Sequence, residues 1–525
     1  MTQRVLVTES LAGAGIDFLK ESVQVDVRLG LSAEQLGAII GEYDALLVRS
    51  ATMVTAEVLS RGARLRVVGR AGTGVDNVDL DAATRCGVLV VNAPTSNTIA
   101  VAEHTLALML CLARNIVPAN ASVHAGRWQR GRFLGSELRD KTLGLLGLGR
   151  VGAAVATRAR ALEMRLVAYD PLVSTERAAQ LQVRLIELDE LLSCADYVSL
   201  HAPATDRTRG MIGVRELALM RPTACLINCA RAELVDEQAL VAALAERRIA
   251  GAALDVYPHE PSVSEALRGM ENAILTPHLG ASTQEAQDSA AVEVARQVVD
   301  VLEGRAPRYP VNLTPLTEEE RATLTPFLDL AGRLGRFGGQ YARDNVSALE
   351  IVYGGEAATL NSGLLTSALL AGLLAETSEE PVNLVNARVL ARERGLEVTE
   401  VRTEDAESFG HLITLRAGTS AGPLLLSGAV MRGQPHIVRV GEYWFDFRAA
   451  GDLLVSEHIE QPGIIGQMGS LLGEMGASIA FVQVGRQQRG GRGLMILGLD
   501  DPLDAEGLAR VMALPTIRAA HLVRL

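Results

Sequence analysis

Lysine is almost missing from this chain, since Lys20 and Lys141 are the only two among 525 residues. Basic side chains are therefore nearly all arginine, which argues against lysine chemistry such as Schiff-base formation. Positive charge is also in the minority, because the net charge is −12 at pH 7. This balance does not favour a general nucleic-acid surface, and we expect no nucleic-acid partner.

Cysteine is scarce as well, and the five residues are odd in number, scattered and without CxxC spacing. They are typical of small buried side chains in a reducing compartment, and they predict no metal site. No charge-free run of about 18 apolar residues occurs, and the first residues lead into a strand rather than a signal-peptide core. We therefore expect a cytoplasmic protein that does not associate with a membrane.

Length and composition predict several domains, because 525 residues with 48% hydrophobic side chains exceed what one core accommodates. Up to Pro94, short apolar strands alternate with helical segments, which predicts a parallel sheet. The expected strands are Arg4–Glu9, Val23–Arg28, Ala45–Arg49, Leu65–Arg70 and Val88–Val91. A long helical pattern and a second run of alternating strands and helices follow, so a cleft between two α/β units is expected.

A glycine-rich turn containing Gly147, Gly149 and Gly152 follows the apolar strand Lys141–Leu146 and opens a helix. In such a βαβ unit the first glycine permits a tight turn and the second lets the backbone approach a pyrophosphate. The third lets helix and strand pack closely. The next strand ends on Asp170, whose carboxylate can bind a ribose diol and would repel a 2′-phosphate. The pattern predicts NAD rather than NADP.

Three polar residues follow later apolar strands, namely Arg231, Glu260 and His278. A guanidinium can bind a carboxylate, an imidazole can remove a hydroxyl proton, and a carboxylate can orient that imidazole. Together they provide what oxidation of an alcohol beside a carboxylate requires. Each also has a structural alternative: Arg231 could cap a helix or pair with Asp236, Glu260 could be a solvated turn residue, and His278 a loop histidine.

The segments around these residues resemble the D-isomer-specific 2-hydroxyacid dehydrogenase family from the first strand to residue 310. The motifs that carry this resemblance are Arg70–Asn77, Asn92–Pro94, Val101–His104 and Thr276–Thr283. The resemblance implies an α/β fold in which a Rossmann-type nucleotide domain is inserted in a flavodoxin-like substrate domain. The implied boundaries are 1–97 and 283–310 for the substrate domain and 98–282 for the NAD-binding domain.

Beyond a Pro-rich stretch, Arg305 to Glu320, that is typical of a linker, the pattern changes. Residues 315–450 are expected to form an α+β intervening domain with strands from His411 to Phe447. Residues 452–525 are expected to form a ferredoxin-like βαββαβ module. This order and the segment Pro462–Gly466 resemble an ACT regulatory domain. Within the family, such an arrangement is similar to the long-form D-3-phosphoglycerate dehydrogenases.

The implied reaction is the NAD-dependent oxidation of 3-phosphoglycerate, with His278 as proton acceptor, Glu260 as its partner and Arg231 as substrate clamp. The resemblance implies cofactor contacts at Thr73, Gly147, Gly149, Arg150, Val151, Gly152, Asp170, Ala202, Cys229, Ala230, Arg231, Asp255, His278 and Gly280. It implies substrate contacts at Arg49, Ser50, Gly72, Thr73 and Arg231. Arg130 and Arg132 either belong to this anion site or are surface arginines.

Some positions depart from the family pattern, which usually has two glycines where Ala232 and Glu233 stand. An alanine at a position that wants positive φ would cost about 1 kcal/mol. The departure keeps open another 2-oxoacid substrate, such as hydroxypyruvate, glyoxylate or 2-oxoglutarate. In the last module an L-serine effector would contact His458, Glu460 and Ser478, although the last two also depart from the pattern. The family and ACT modules imply a homo-oligomer, either a dimer or a tetramer.

Overall fold

The computed structural model describes residues 3–342, 346–378, 380–419 and 422–525. The described strands form sheets of five, seven, six and four strands, in chain order. The first two sheets are entirely parallel, whereas the last two are mostly or wholly antiparallel. This is the mixed architecture expected from the sequence.

The first sheet has the order β2-β1-β3-β4-β5, which is that of a flavodoxin-like fold. Its strands are β1 (Arg4–Val7), β2 (Gln24–Val27), β3 (Ala45–Val48), β4 (Val67–Arg70) and β5 (Leu89–Asn92). The helices between them are α1 (Gly13–Lys20), α2 (Ala33–Ile39), α3 (Ala56–Ser60) and α4 (Leu80–Arg85). The inner strands are buried on both faces, which explains their continuous apolar sequence.

The second sheet is a seven-stranded, doubly wound sheet of the order β12-β11-β10-β9-β6-β7-β8. Its strands are β6 (Thr142–Leu146), β7 (Arg165–Tyr169), β8 (Arg184–Leu185), β9 (Tyr197–Leu200), β10 (Cys225–Asn228), β11 (Gly251–Leu254) and β12 (Ala273–Leu275). Its helices are α5 (Thr98–Arg114), α6 (Ile116–His124), α7 (Arg150–Ala161), α8 (Thr175–Gln180), α9 (Leu188–Cys194), α10 (Val214–Leu219), α11 (Glu237–Ala245) and α12 (Glu265–Arg268).

The chain then returns to the first sheet through helix α13 (Gln284–Leu302). Two glycines permit this close packing. A Cβ added at Gly15 of α1 would lie 2.7 Å from Ala291, and one at Gly69 of β4 would lie 2.6 Å from Val294. The nucleotide unit is thus inserted into the chain of the first unit, as expected from the sequence.

The segment predicted to be a linker is partly ordered along the first sheet. Val311 donates its backbone N–H to Val90, and Asn312 accepts one from the same residue, at 2.7 and 2.8 Å. Pro310 bridges Val91 on the edge strand β5. These residues therefore cover an edge that would otherwise expose unpaired backbone groups.

The third sheet has the order β14-β13-β15-β16-β17-β18. Its strands are β13 (Ala348–Gly355), β14 (Glu397–Thr403), β15 (His411–Thr419), β16 (Gly422–Met431), β17 (Gln434–Val440) and β18 (Tyr443–Arg448). Helices α14 (Glu318–Ala342), α15 (Ser362–Leu374) and α16 (Ala387–Glu393) pack against it. The sequence predicted only the run from His411 to Phe447. Strands β13 and β14 were missed, since β14 is a largely exposed edge strand that carries charged side chains.

The fourth sheet closes the described chain as β19 (Asp452–Ile459), α17 (Ile464–Glu474), β20 (Ile479–Arg486), β21 (Arg492–Leu499), α18 (Ala505–Met512) and β22 (Ile517–Arg524). This is the βαββαβ order expected, with sheet order β20-β21-β19-β22. One face packs on its own helices, whereas Val455, Ile496 and Val523 join the core of the preceding unit. The last two units therefore share a hydrophobic core.

Within the described residues, no single helix is long and apolar enough to cross a bilayer. The pair α5 and α6, bent by 65°, passes that test of length and composition only when both helices are taken together.

Candidate active site

Loops from the first two sheets meet at the carboxyl ends of their strands. Asp76, in the loop after β4, places Oδ2 3.6 Å from Nη2 of Arg231, which follows β10. Ligands of open α/β sheets bind at such strand ends. The contact therefore locates the candidate site in a cleft between the two sheets, where the sequence predicted it.

His278 and Glu260 form a close polar pair in this cleft. Nδ1 of His278 lies 2.7 Å from Oε2 of Glu260, while the other carboxylate oxygen accepts the N–H of Tyr257 at 3.0 Å. His278 adopts φ 54°, a left-handed backbone that is uncommon for non-glycine residues. Its side chain is 51% exposed, so the ring is held at one edge and open to solvent elsewhere.

Arg231 has neither of the structural roles that the sequence left open. Its Nη1 donates to the carbonyl oxygen of Ala230 at 2.8 Å, and its Nη2 faces Asp76. Asp236 instead accepts the N–H of Ala239 at 3.0 Å and caps α11. Ala232 begins a 3-10 turn and is not among the residues with positive φ, so the strain expected there was wrong.

The glycine turn has the shape required of a phosphate-binding turn. Gly147 has φ 98°, and a Cβ on it would lie 2.7 Å from the carbonyl oxygen of His201. A Cβ on Gly152 would lie 2.2 Å from the carbonyl oxygen of Gly147, whereas Gly149 faces open space. Gly149 is also the N-cap of α7 and has no side chain to satisfy the first N–H groups, those of Arg150 and Val151. These groups are available to an anion.

Asp170 is fixed beside this turn by backbone groups. Its Oδ2 accepts the N–H of Leu148 at 2.8 Å, and its Oδ1 accepts those of Leu172 and Val173 at 2.9 and 3.2 Å. A carboxylate offers about four lone-pair positions, so one remains for a ribose hydroxyl. The glycine turn and this carboxylate fit the adenosine half of NAD.

Asp255, which follows β11, is a buried carboxylate that holds the loop after β12. It is 1% exposed and accepts N–H groups of Leu279 and Gly280, each at 2.8 Å, and the hydroxyl of Thr276 at 2.6 Å. Burial acts to raise the pKa of Asp255, but His104, Thr276 and the two amides outweigh it and lower the pKa. Burial raises the pKa of Cys229 to about 12, which keeps it a neutral thiol.

Comparison with known proteins decides the family. Residues 106–280 match the D-isomer specific 2-hydroxyacid dehydrogenase, NAD binding domain, and residues 323–441 match the D-3-phosphoglycerate dehydrogenase intervening domain. The D-3-phosphoglycerate dehydrogenase of Synechocystis is 45% identical over 99% of this chain and 95% of its own length. The enzyme so named from Methanocaldococcus jannaschii is 41% identical over 99% and 100%. The chain belongs to the D-3-phosphoglycerate dehydrogenase family.

Solved structures resemble the catalytic part of this family member. The crystal structure of the TT0316 protein from Thermus thermophilus is 38% identical and has a TM-score of 0.55. The match includes 59% of this chain and 100% of the Thermus thermophilus chain. The shared fold therefore comprises a little more than half of this chain.

The predicted substrate loops of this family member lie on the first sheet. Thr73 donates its hydroxyl to Asn97 at 2.8 Å, and its carbonyl oxygen accepts the side-chain amide of Asn92 at 2.5 Å. Arg49 donates to the carbonyl oxygen of Ser10 at 3.2 Å, and the adjacent Ser50 is exposed. Gly72 passes so close to Arg70 that a Cβ would overlap the guanidinium.

Arg70 begins the motif Arg70–Asn77, but the sequence did not predict it as a site residue. Burial is the main cause that lowers the pKa of Arg70, and within the described residues its Nε has no hydrogen-bond partner. The charges that act on it include Asp76, Arg231 and Arg49. Arg70 ends β4 as Arg49 follows β3, and this repeated pattern at two strand ends could have identified it.

Arg130 and Arg132 lie on a 3-10 turn at the surface. Arg132 is 63% exposed and places Nη2 3.7 Å from Oε2 of Glu271. Within a single chain, both therefore have the surroundings of surface arginines.

The three predicted effector residues do not come together within one chain. His458 is 1% exposed, and neither ring nitrogen has a hydrogen-bond partner within the described residues. Glu460 accepts bonds from Arg486 at 2.6 Å and from the N–H of Gly490 at 2.7 Å. Ser478 precedes β20 and lies at the opposite end of the sheet, because Ile479 pairs with Leu499 whereas Ile459 pairs with Arg492.

Proposed function

We propose that this chain oxidises 3-phospho-D-glycerate to 3-phosphohydroxypyruvate with NAD, the first step of L-serine biosynthesis. The observation that carries the proposal is the 2.7 Å contact between His278 and Glu260 in the cleft that Arg231 also lines. Similarity to enzymes of this name along nearly the whole chain supports the substrate.

His278 is the proposed acceptor of the hydroxyl proton. We assign the Nδ1 proton to the bond with Glu260, which leaves Nε2 as the free acceptor. The carboxylate holds the ring in this tautomer and stabilises the imidazolium that forms. Arg231 would bind the substrate carboxylate bidentately and stabilise charge on the new carbonyl oxygen.

The cofactor contacts proposed for this chain follow the same strand ends. The pyrophosphate would lie on the N–H groups of Arg150 and Val151, and the adenosine ribose on Asp170. Thr73, Ala202, the Cys229–Arg231 turn and Asp255 would surround the nicotinamide half. NAD, when bound, accepts the hydride that leaves C2 of the substrate.

A substrate panel tests this proposal. The purified chain with NAD should form NADH from 3-phospho-D-glycerate at alkaline pH, with no comparable rate from unphosphorylated 2-hydroxyacids. Rapid reduction of hydroxypyruvate, glyoxylate or 2-oxoglutarate, with no turnover of 3-phosphoglycerate, would instead assign the second substrate class. The acidic Glu233, two residues after Arg231, is the feature of the sequence that favours this second substrate class.

A homo-oligomer is proposed on the basis of an exposed apolar band on α6 and the loop that follows it. The band consists of Ile116, Val117, Val123, Trp128 and Leu134, and the last two are 85% and 90% exposed. Large apolar side chains that are exposed together in one segment are typical of protein interfaces. Light scattering should give a multiple of the chain mass, and Val123→Asp should lower it.

The remaining assignments are proposals of the same kind. We retain the domain boundaries 1–97 with 283–310, 98–282, 315–450 and 452–525, a cytoplasmic location, and L-serine as a possible effector of the last domain. Because Glu460 and Ser478 lie at opposite ends of one sheet, a serine site would need residues of a second chain. Assays with and without L-serine would test this regulation.

A further inference from the structure

Glu9 reaches from the end of β1 to the loop that follows β3. Its Oε1 accepts the N–H groups of Arg49 and Thr52 at 2.8 and 2.9 Å, and its Oε2 accepts that of Ala51 at 3.1 Å. Partial burial acts to raise the pKa of Glu9, but these three amides outweigh it and lower the pKa. The side chain is therefore a charged acceptor held by three donors.

The same loop is held from its other side by Asn77. The Asn77 amide, which is 8% exposed, donates to the carbonyl oxygens of Arg49 and Thr52 at 2.9 and 2.7 Å. The loop 49–52 thus has its N–H groups bound by a carboxylate and its carbonyl oxygens bound by an amide. The hydroxyls of Thr8 and Thr52 add a contact at 2.9 Å.

One backbone N–H donor of the loop 49–52 is not bound by Glu9. Within the residues that the structure describes, the N–H of Ser50 has no hydrogen-bond partner, whereas those of its three loop neighbours all bind Glu9. Ser50 is exposed and stands beside the guanidinium of Arg49. A free backbone N–H next to a guanidinium is suited to an anion.

We propose that Glu9 is a positioning residue: it fixes the loop 49–52 so that the Ser50 N–H and the Arg49 side chain bind the phosphate end of the substrate. The substrate carboxylate is assigned to Arg231, beside the reacting carbon, so the second anionic end needs its own donors. This inference depends on the proposed function for its ligand. The three hydrogen bonds from the loop 49–52 to Glu9, here called the carboxylate clamp, do not depend on that ligand.

Glu9→Gln tests the inference, because an amide keeps one acceptor but turns an N–H₂ group toward the loop donors. The KM for 3-phosphoglycerate should rise about tenfold, while kcat changes by less than about threefold. NADH affinity should stay unchanged, and Glu9→Asp should recover part of the lost affinity. Glu57→Gln is the matched control, since it removes one carboxylate from the same unit, at the surface pair with Arg61.

Hydrogen exchange separates failure of the clamp from failure of the proposed function. In the wild-type chain the amides of residues 49, 51 and 52 should be protected, and Glu9→Gln should make them exchange faster, whichever substrate is used. Equal exchange in both proteins overturns the clamp. Faster exchange with an unchanged KM for the substrate that the wild type oxidises overturns the positioning role. A wild type inactive on 3-phosphoglycerate contradicts the proposed function alone.

Discussion

The catalytic half and the C-terminal half of this chain use their sheets in opposite ways. In the first half each sheet has two clusters of buried residues, which it does not share with the other sheet. In the second half one cluster extends from helix α14 through the six-stranded sheet to Val455 and Ile496 of the four-stranded sheet. One half thus has two separately packed sheets with a cleft between them, and the other has two sheets joined by a core.

This difference in packing explains where polar side chains of two sheets can approach each other to form a site. Between separate cores, loops at strand ends such as those of Asp76 and Arg231 can approach each other without a packed interior between them. In the C-terminal half, side-chain amides pair with strand backbone across the junction instead: Gln340 exchanges two hydrogen bonds with Arg524, at 2.7 and 3.0 Å. The first arrangement suits substrate binding, and the second suits a rigid appendage.

The two halves contain a matched pair of histidines, which gives the largest expected effect. His278 and His436 each place Nδ1 2.7 Å from a carboxylate, Glu260 and Asp446 respectively. His278→Ala should lower kcat by about 10²–10⁴-fold, because proton transfer is lost. His436→Ala should leave kcat unchanged in the same NADH assay. Similar losses in both variants would contradict the division of roles between the halves.

A second test concerns two glycines at helix starts in the catalytic half. Gly149→Ala would place a Cβ in the open space before α7, where a pyrophosphate needs the backbone. We expect the dissociation constant of NADH to rise at least about tenfold, with little change in stability. Gly13→Ala, at another open helix start, is the control. Unchanged NADH binding in Gly149→Ala would place the cofactor elsewhere.

Much of the catalytic half could be predicted because its information is local in the sequence. Arg231, Glu260, His278 and the glycine turn each follow an apolar strand, and parallel sheets bring such strand ends to one edge. The contact between Asp76 and Arg231 could not be predicted in this way. It joins residues 155 positions apart. The periodicity of the sequence does not indicate how the two sheets are placed relative to each other.

The C-terminal half was less predictable, because the packing of its elements depends on contacts between residues that are distant in the sequence. The βαββαβ order was evident from alternation, but β13 and β14 were missed and the shared core was not foreseen. A buried residue such as Val455 is predicted as core in either case, and the sequence does not indicate whether helix or neighbouring sheet covers it.

Helix packing in the C-terminal half gives a smaller, structural effect. A Cβ on Gly335 of α14 would lie 1.9 Å from the carbonyl oxygen of Leu369 on α15. Gly335→Ala should lower the free energy of unfolding by about 1–3 kcal/mol, as overpacking does, while kcat of the folded fraction persists. Chemical denaturation beside the activity assay checks both. Gly466→Ala, with open space in α17, should be neutral or slightly stabilising.

The smallest effect concerns pH. Burial lowers the pKa of His201, below the phosphate turn, to about 4. The unfolded chain therefore binds this proton below about pH 6.5 and the folded chain does not, so stability should fall from there toward pH 4. Denaturant midpoints between pH 7 and 4.5 measure this, and His201→Gln should flatten that part of the profile. A slope unchanged by the substitution would show that other groups dominate.

Hydride transfer from C2 of 3-phosphoglycerate is expected to occur in the cleft lined by His278, Glu260 and Arg231. The most direct measurement uses 3-phospho-D-glycerate carrying deuterium at C2, with NAD and the full chain. We predict that the deuterium is recovered on carbon 4 of the nicotinamide, together with 3-phosphohydroxypyruvate, and that His278→Ala transfers almost none in the same time. Product without label on the nicotinamide, or no product from the wild-type chain, would contradict hydride transfer at this site.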